Sequence, residues 1–184
     1  MNLPNKLTLL RVCLIPFFVI LAKMEGFGMQ LAAVGVYVLA CVTDALDGRI
    51  ARSRHLITNF GKFMDPIADK LLVMSAMIVL TAQGRMPDWV CILMLGREFL
   101  VSGFRLVAVE NGVVIAAGPL GKLKTVFQML STIALMLLVP VKGAPLLGDA
   151  GAICARVLMY IALALTVVSG ADYIIRNRAC IKDM

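Results

Sequence analysis

Long apolar runs recur along the whole chain with only short polar breaks between them. Six can be drawn at membrane-spanning length: roughly Leu7 to Ala22, Gly28 to Asp47, Asp65 to Ala82, Trp89 to Val109, Thr125 to Val141 and Gly151 to Ile175. A hydrocarbon core takes about 20 helical residues, and in lipid each backbone N–H and C=O must be satisfied within the segment. Some of these apolar cores are shorter than that, so the second and third spans must include the polar residues at their ends, and those ends hold aspartates. Hydrophobic residues make up 61% of the 184 positions, well above what a soluble domain of this size carries. The expected fold class is all-α, a polytopic membrane protein of six transmembrane helices forming one domain over residues 1–184. The opening Lys6 to Ala22 could pass for a signal peptide, but it lacks an A-x-A-like cleavage site and many spans follow it. It reads as a retained first helix.

The formal charge is +7, yet the basic residues sit in the gaps between apolar runs, where topology and anionic lipid explain them and a nucleic-acid partner is not expected. One set of gaps carries Lys6, Arg49, Arg52, Arg54, Lys62, Lys122, Lys124, Arg176, Arg178 and Lys182; the other has Lys23, Arg85 and Lys142. The positive-inside rule then puts both termini and the Arg49 to Lys62 segment in the cytoplasm, which an even number of spans allows. Trp89, just after Pro87 and Asp88, suits an interfacial anchor at the outer end of the fourth span. Cys13, Cys41, Cys91, Cys154 and Cys180 have no metal-ligand spacing and read as small buried hydrophobes.

Between the second and third spans lie four carboxylates. Asp44 and Asp47 are at i, i+3, and Asp65 and Asp69 at i, i+4, so each pair shares one helix face and can aim at one site. Four negative charges gathered beside lipid are unfavourable unless cations neutralise them. Hard carboxylate oxygens suit Mg²⁺ or Mn²⁺. Zinc is not expected, because the clustered groups are carboxylates and His55, the chain's one histidine, reads as a loop residue. Taken singly, Asp65 before Pro66 could be an N-cap with Pro at N1, and Asp44 could mark a helix leaving the membrane. Capping gives no reason for Asp69 one turn into an apolar span, or for Asp47 followed by Gly48. Gly48 and Ala51 are small, as close approach of a nucleotide to the helix backbone requires, and Arg52 is placed to meet a phosphate.

The run Asp44, Asp47, Gly48, Ala51, Arg52, Gly61, Asp65, Asp69 resembles the signature of the CDP-alcohol phosphotransferases at all eight specified positions. The resemblance implies a dimer of six-helix protomers, each with a cytoplasm-facing polar cavity in the membrane and two divalent metals at the aspartates. Asp44, Asp47 and Asp65 would be metal ligands, and Asp69 a general base that also touches metal. The CDP-lipid would be met by Asp44, Gly48, Ala51, Arg52, Thr58 and Gly61. At the amino terminus, Pro4, Asn5, Thr8 and Arg11 match the family's Pro-Asn-x-x-Thr-x-x-Arg opening, which would bring Asn5 and Thr8 to the nucleotide pocket. Read without that resemblance, Asn5 or Thr8 is a helix cap and Arg11 a snorkelling residue.

A third match, Gly96-Arg97-Glu98, Arg105, Gly121-Lys122, Lys124-Thr125 and Gln128, resembles the phosphatidylglycerophosphate synthase branch of the family, whose acceptor is glycerol 3-phosphate. Arg97, Arg105, Lys122 and Lys124 would bind the acceptor's phosphate. Arg97 and Glu98 fall near mid-span, where unpaired charge is costly and marks a site. The alternative is that they pair with other helices to hold the bundle, with Arg105 and Lys122 topological.

The reaction expected moves a phosphatidyl group from CDP-diacylglycerol to glycerol 3-phosphate and releases CMP, at the cytoplasmic membrane. Inositol phosphate, serine or phosphatidylglycerol are the other acceptors the same chemistry allows. Two further classes compete. Intramembrane prenyltransferases also use aspartates with Mg²⁺ but lack the Gly48, Ala51, Arg52, Gly61 framework, and a cation transporter could line its path with intramembrane carboxylates.

Overall fold

The computed structural model describes residues 3–53, 59–110, 118–140 and 147–177. The side chains of residues 3–7, 44–53, 59–63, 65, 66, 69 and 110 lie outside that description. Among the described residues the chain is all-helical, with six helices and no strand. These are α1 (Leu3–Lys23), α2 (Phe27–Ser53), α3 (Asn59–Ala82), α4 (Asp88–Glu110), α5 (Pro119–Leu138) and α6 (Gly148–Asn177). They group into two compact units, α1 to α3 and α4 to α6.

Each helix overruns the apolar core that announced it. Helix α2 has 27 residues and α6 has 30, about 40 and 45 Å at roughly 1.5 Å per residue, against a hydrocarbon core of about 30 Å. Polar residues therefore continue the helix rather than end it. Two corrections follow. Helix α3 begins at Asn59 and not at Asp65, so Asp65 is not an N-cap; α2 runs on to Ser53, so Asp44 does not mark its exit. Helix α5 begins earlier than the apolar pattern does, at Pro119 in the N1 position after Gly118, where the missing N–H costs nothing. It stops at Leu138, two residues before Pro140, which disfavours helix in the residue ahead of it.

In the first unit, α1 packs against α2 and α3, which also touch each other. Its buried face is Thr8, Arg11, Ile15, Phe18 and Ala22, alternating steps of three and four that keep one stripe inward. Phe18 meets Tyr37 of α2 with ring centroids 5.7 Å apart. The amide of Gln83 donates to the Ala22 carbonyl at 2.6 Å and ties the end of α3 to the end of α1. The turn between α1 and α2 uses Gly26 at φ 106°, a backbone state that L side chains resist.

In the second unit, α6 packs against both α4 and α5. Its buried stripe includes Gly151, Ala155, Ala162, Thr166, Ser169 and Gly170, small residues that let helices approach closely in a solvent that supplies no hydrophobic drive. Helix α5 is inside-out by the standard of a soluble protein. Lys124, Gln128, Ser131 and Thr132 are buried while Leu123, Val126 and Leu130 face outward. Outward apolar residues recur in both units, Phe17 and Ile20 on α1 and Ile92, Phe99 and Leu106 on α4 among them, which fits acyl chains as the surrounding medium. Helices α5 and α6 are each long and apolar enough to cross a membrane. The cysteines need correcting on the same ground. Cys91 is buried and Cys41 half-buried, but Cys13 and Cys154 are exposed, because an apolar side chain loses little by facing lipid.

Candidate active site

The site is built from helix register. Asp47 stands six residues before the end of α2 and Asp65 six residues after the start of α3, each roughly 9 Å from its helix end. Asp44 and Asp69 lie nine and ten residues in, roughly 14 and 15 Å. The connection between these helices, residues 54–58, can span at most about 18 Å. The two carboxylate pairs therefore occupy the same end of the unit at matched depths. With both stretches helical throughout, the i, i+3 and i, i+4 spacings do put each pair on one face.

The start of α1 reaches the same end, since three residues join α1 to α2 and so make them antiparallel neighbours. Thr8 and Arg11 are five and eight residues into α1, roughly 8 and 12 Å, and both are on its buried face at 0% and 1% exposure. Thr8 and Asn5 are thus not caps, since a helix that starts at Leu3 places both inside it, and Arg11 does not snorkel, because it is buried. Thr58 and His55, with Arg54, Lys142, Arg178, Cys180 and Lys182, lie outside the described residues. Asn5, Gly48, Ala51, Arg52 and Gly61 are placed by backbone alone, as are the four aspartates.

The donor set fits a hard divalent cation. Four carboxylates on two contacting helices, at equal depth, offer only oxygen, the donor Mg²⁺ and Mn²⁺ prefer. Among the described residues no group of three His, Cys, Asp or Glu is placed to hold a metal.

The second unit brings together Arg97, Glu98 and Lys124 and leaves Arg105 and Lys122 exposed. Lys124 Nζ of α5 pairs with Glu98 Oε1. Arg97 Nη1 reaches that same oxygen at 3.4 Å, and Arg97 Nη2 donates to Ser169 Oγ of α6 at 3.0 Å. Lys124 is buried with a side-chain exposure of 3%, and Arg97 and Glu98 keep 15% and 19%. The pairing expected of a bundle-holding role is present. Two cations, Lys124 and Arg97, meet at one carboxylate oxygen of Glu98 in a half-buried setting.

Three residues were not anticipated. Ser169 and Gly170 sit in an apolar run, and their only signal in the sequence is a serine beside a glycine where neighbours are Val and Ala. Arg85 was expected only as a sparse outer-side charge. It is buried, donating to the Met136 carbonyl of the last turn of α5 at 3.4 Å, with Nε and Nη2 unpartnered. Burial pushes its guanidinium below the ordinary arginine value. Trp89, on the first turn of α4, is exposed and stacks on Tyr160 of α6 at 6.2 Å, a pairing suited to an interface anchor.

The family model described as CDP-alcohol phosphatidyltransferase matches residues 1–168, which includes all three motifs. The chain belongs to the CDP-alcohol phosphatidyltransferase family. Within that family it is 40% identical to a CDP-diacylglycerol--glycerol-3-phosphate 3-phosphatidyltransferase of Bacillus subtilis, across 98% of this chain and 97% of the relative. A probable phosphatidylglycerophosphate synthase of Mycobacterium tuberculosis is 41% identical over 95% of this chain and 81% of its own length. A further 3-phosphatidyltransferase, from Rickettsia typhi, is 38% identical over 94% of both. Family membership displaces the prenyltransferase and transporter readings.

Proposed function

We infer that this chain transfers a phosphatidyl group from CDP-diacylglycerol to glycerol 3-phosphate, releasing CMP and phosphatidylglycerophosphate. The observation that carries the chemistry is the matched depth of Asp44, Asp47, Asp65 and Asp69 at one end of α2 and α3. The observation that carries the acceptor is the full-length likeness to relatives named for that acceptor.

Asp44, Asp47, Asp65 and Asp69 would hold two divalent ions per site, Mg²⁺ or Mn²⁺, which when bound would neutralise the pyrophosphate and the charge gathering on departing CMP. The chain's own residues do the remainder. Thr8 and Asn5 of α1 and Gly48, Ala51, Arg52, Thr58 and Gly61 hold the CDP end of the lipid, small residues letting the nucleotide close on the helix. Asp69 accepts the proton of the acceptor hydroxyl as its oxygen bonds to the lipid-side phosphorus, and the bond from that phosphorus to CMP breaks with its electron pair leaving on CMP. Arg97 and Lys124, which meet at Glu98, bind the acceptor's phosphate; Arg105 and Lys122 offer exposed charge that attracts it.

Six helices span the bilayer as one catalytic domain over residues 1–184, with both termini and a polar cavity on the cytoplasmic side, as the bias of basic residues supports. The chain works as a homodimer in the bacterial cytoplasmic membrane. The test is CMP release by pure protein in detergent, given CDP-diacylglycerol with glycerol 3-phosphate, inositol phosphate, serine or phosphatidylglycerol separately. Release is expected with the first alone. Release with another acceptor and not with glycerol 3-phosphate overturns the acceptor assignment.

A further inference from the structure

Arg97 is held from outside its own helix. Its Nη2 donates to Ser169 Oγ at 3.0 Å, within ordinary hydrogen-bond range, while its contact with adjacent Glu98 is 3.4 Å and longer than a good one. The Ser169 hydroxyl is itself oriented, because it donates to the Thr166 carbonyl at 3.2 Å and so turns a lone pair to the guanidinium. Ser169 is buried. Beside it, Gly170 makes room for the arginine stem: a Cβ there would stand 3.0 Å from Arg97 Cγ, 3.5 Å from Nε and 3.9 Å from Cδ. Arg97 Nε is buried without a partner, so the side chain lies along α6 at a cost that local pairing does not offset. Released from α6, the guanidinium has an immediate alternative in Glu98, where it would compete with Lys124 for the same oxygen.

We propose that Ser169 and Gly170 are positioning residues that aim the Arg97 guanidinium at the acceptor's phosphate and keep it from collapsing onto Glu98. The missing Cβ admits the stem, and the hydroxyl fixes the far end. This rests on the reading of Arg97 as an acceptor ligand, and through it these residues set how well a phosphorylated acceptor is held without touching it. Glu98 then has a matching part. By pairing with Lys124 it occupies the carboxylate oxygen that Arg97 would otherwise take, so the direction of Arg97 decides whether the guanidinium is offered outward.

The experiment uses the full-length protein in detergent with the variants Ser169→Ala, Ser169→Thr, Gly170→Ala and Arg97→Lys. It measures kcat, the KM for each substrate and the thermal midpoint. Ser169→Ala and Gly170→Ala are expected to raise the KM for glycerol 3-phosphate roughly tenfold, the scale of one charge-assisted hydrogen bond. Their kcat and their KM for CDP-diacylglycerol should stay within about twofold, and Ser169→Thr, which keeps the hydroxyl, should restore the acceptor KM. In an Arg97→Lys background Ser169→Ala should add little, since both act through one group. If Arg97→Lys leaves the acceptor KM at its original value, the ligand role of Arg97 falls and the positioning role with it. If Arg97→Lys raises it while Ser169→Ala and Gly170→Ala do not, the positioning role alone is overturned. A parallel loss of kcat, of both affinities and of thermal midpoint in the α6 variants would make them merely structural, which also overturns it.

Discussion

At the scale of single residues, carboxylates of one type take different proposed roles by their place in two helices. Asp69 lies deepest of the four, ten residues into α3, and is the one assigned the acceptor's proton. Replacing it with Asn keeps the volume and an oxygen donor but removes the base. Turnover in Asp69→Asn should fall by about 10²- to 10⁴-fold, the usual contribution of a general base, while CDP-diacylglycerol binding is largely retained. Stopped-flow CMP release together with equilibrium binding of the CDP-lipid measures both, and near-normal turnover would remove the base role. Arg11 and Lys124 show a separate lesson. Both are buried cations in an apolar chain, and hydropathy alone cannot distinguish a charge that snorkels from one that packs inward, because each presents the same long side chain to the counting window.

At the scale of helices, the existence of six was legible and their ends were not. An apolar window finds only the apolar part of a helix, and α2, α3 and α6 extend beyond it into polar residues that are equally content in a helix. That is why Asp65 passes for a cap in the sequence and stands inside α3 in the structure. Helix α5 has the opposite history: its buried Lys124, Gln128, Ser131 and Thr132 were visible only as scattered polar residues, and their common face emerges from a spacing of three and four. The outward face of α5 should be as intolerant of charge as its inward face is rich in polarity. Leu130→Lys, on the exposed apolar side, carries an insertion penalty of about 2.5–3.5 kcal/mol if placed near the bilayer centre. Membrane-fraction yield should drop several-fold for Leu130→Lys. An unchanged yield would mean that this face does not meet lipid.

For the whole molecule, the family framework was legible because eight spaced residues specify chemistry more tightly than any count of apolar positions. The partnership of Arg97 with Ser169 and Gly170 was not, since 72 residues separate the hydrogen-bonded pair and a small polar pair in an apolar run carries no charge to announce it. The proposed function depends on the aspartates of α2 and α3 sharing divalent ions beside a nucleotide diphosphate. Mn²⁺ is both a fitting ion for carboxylate oxygens and a paramagnetic reporter. The most direct measurement is therefore Mn²⁺ binding by electron paramagnetic resonance, with ³¹P relaxation of added CDP-diacylglycerol, on the intact protein and on Asp44→Asn and Asp65→Asn. The intact protein is expected to bind about two Mn²⁺ per chain with strongly enhanced relaxation of the pyrophosphate, and either variant to lose both effects. Unaltered Mn²⁺ binding and relaxation in the two variants would contradict the proposed function.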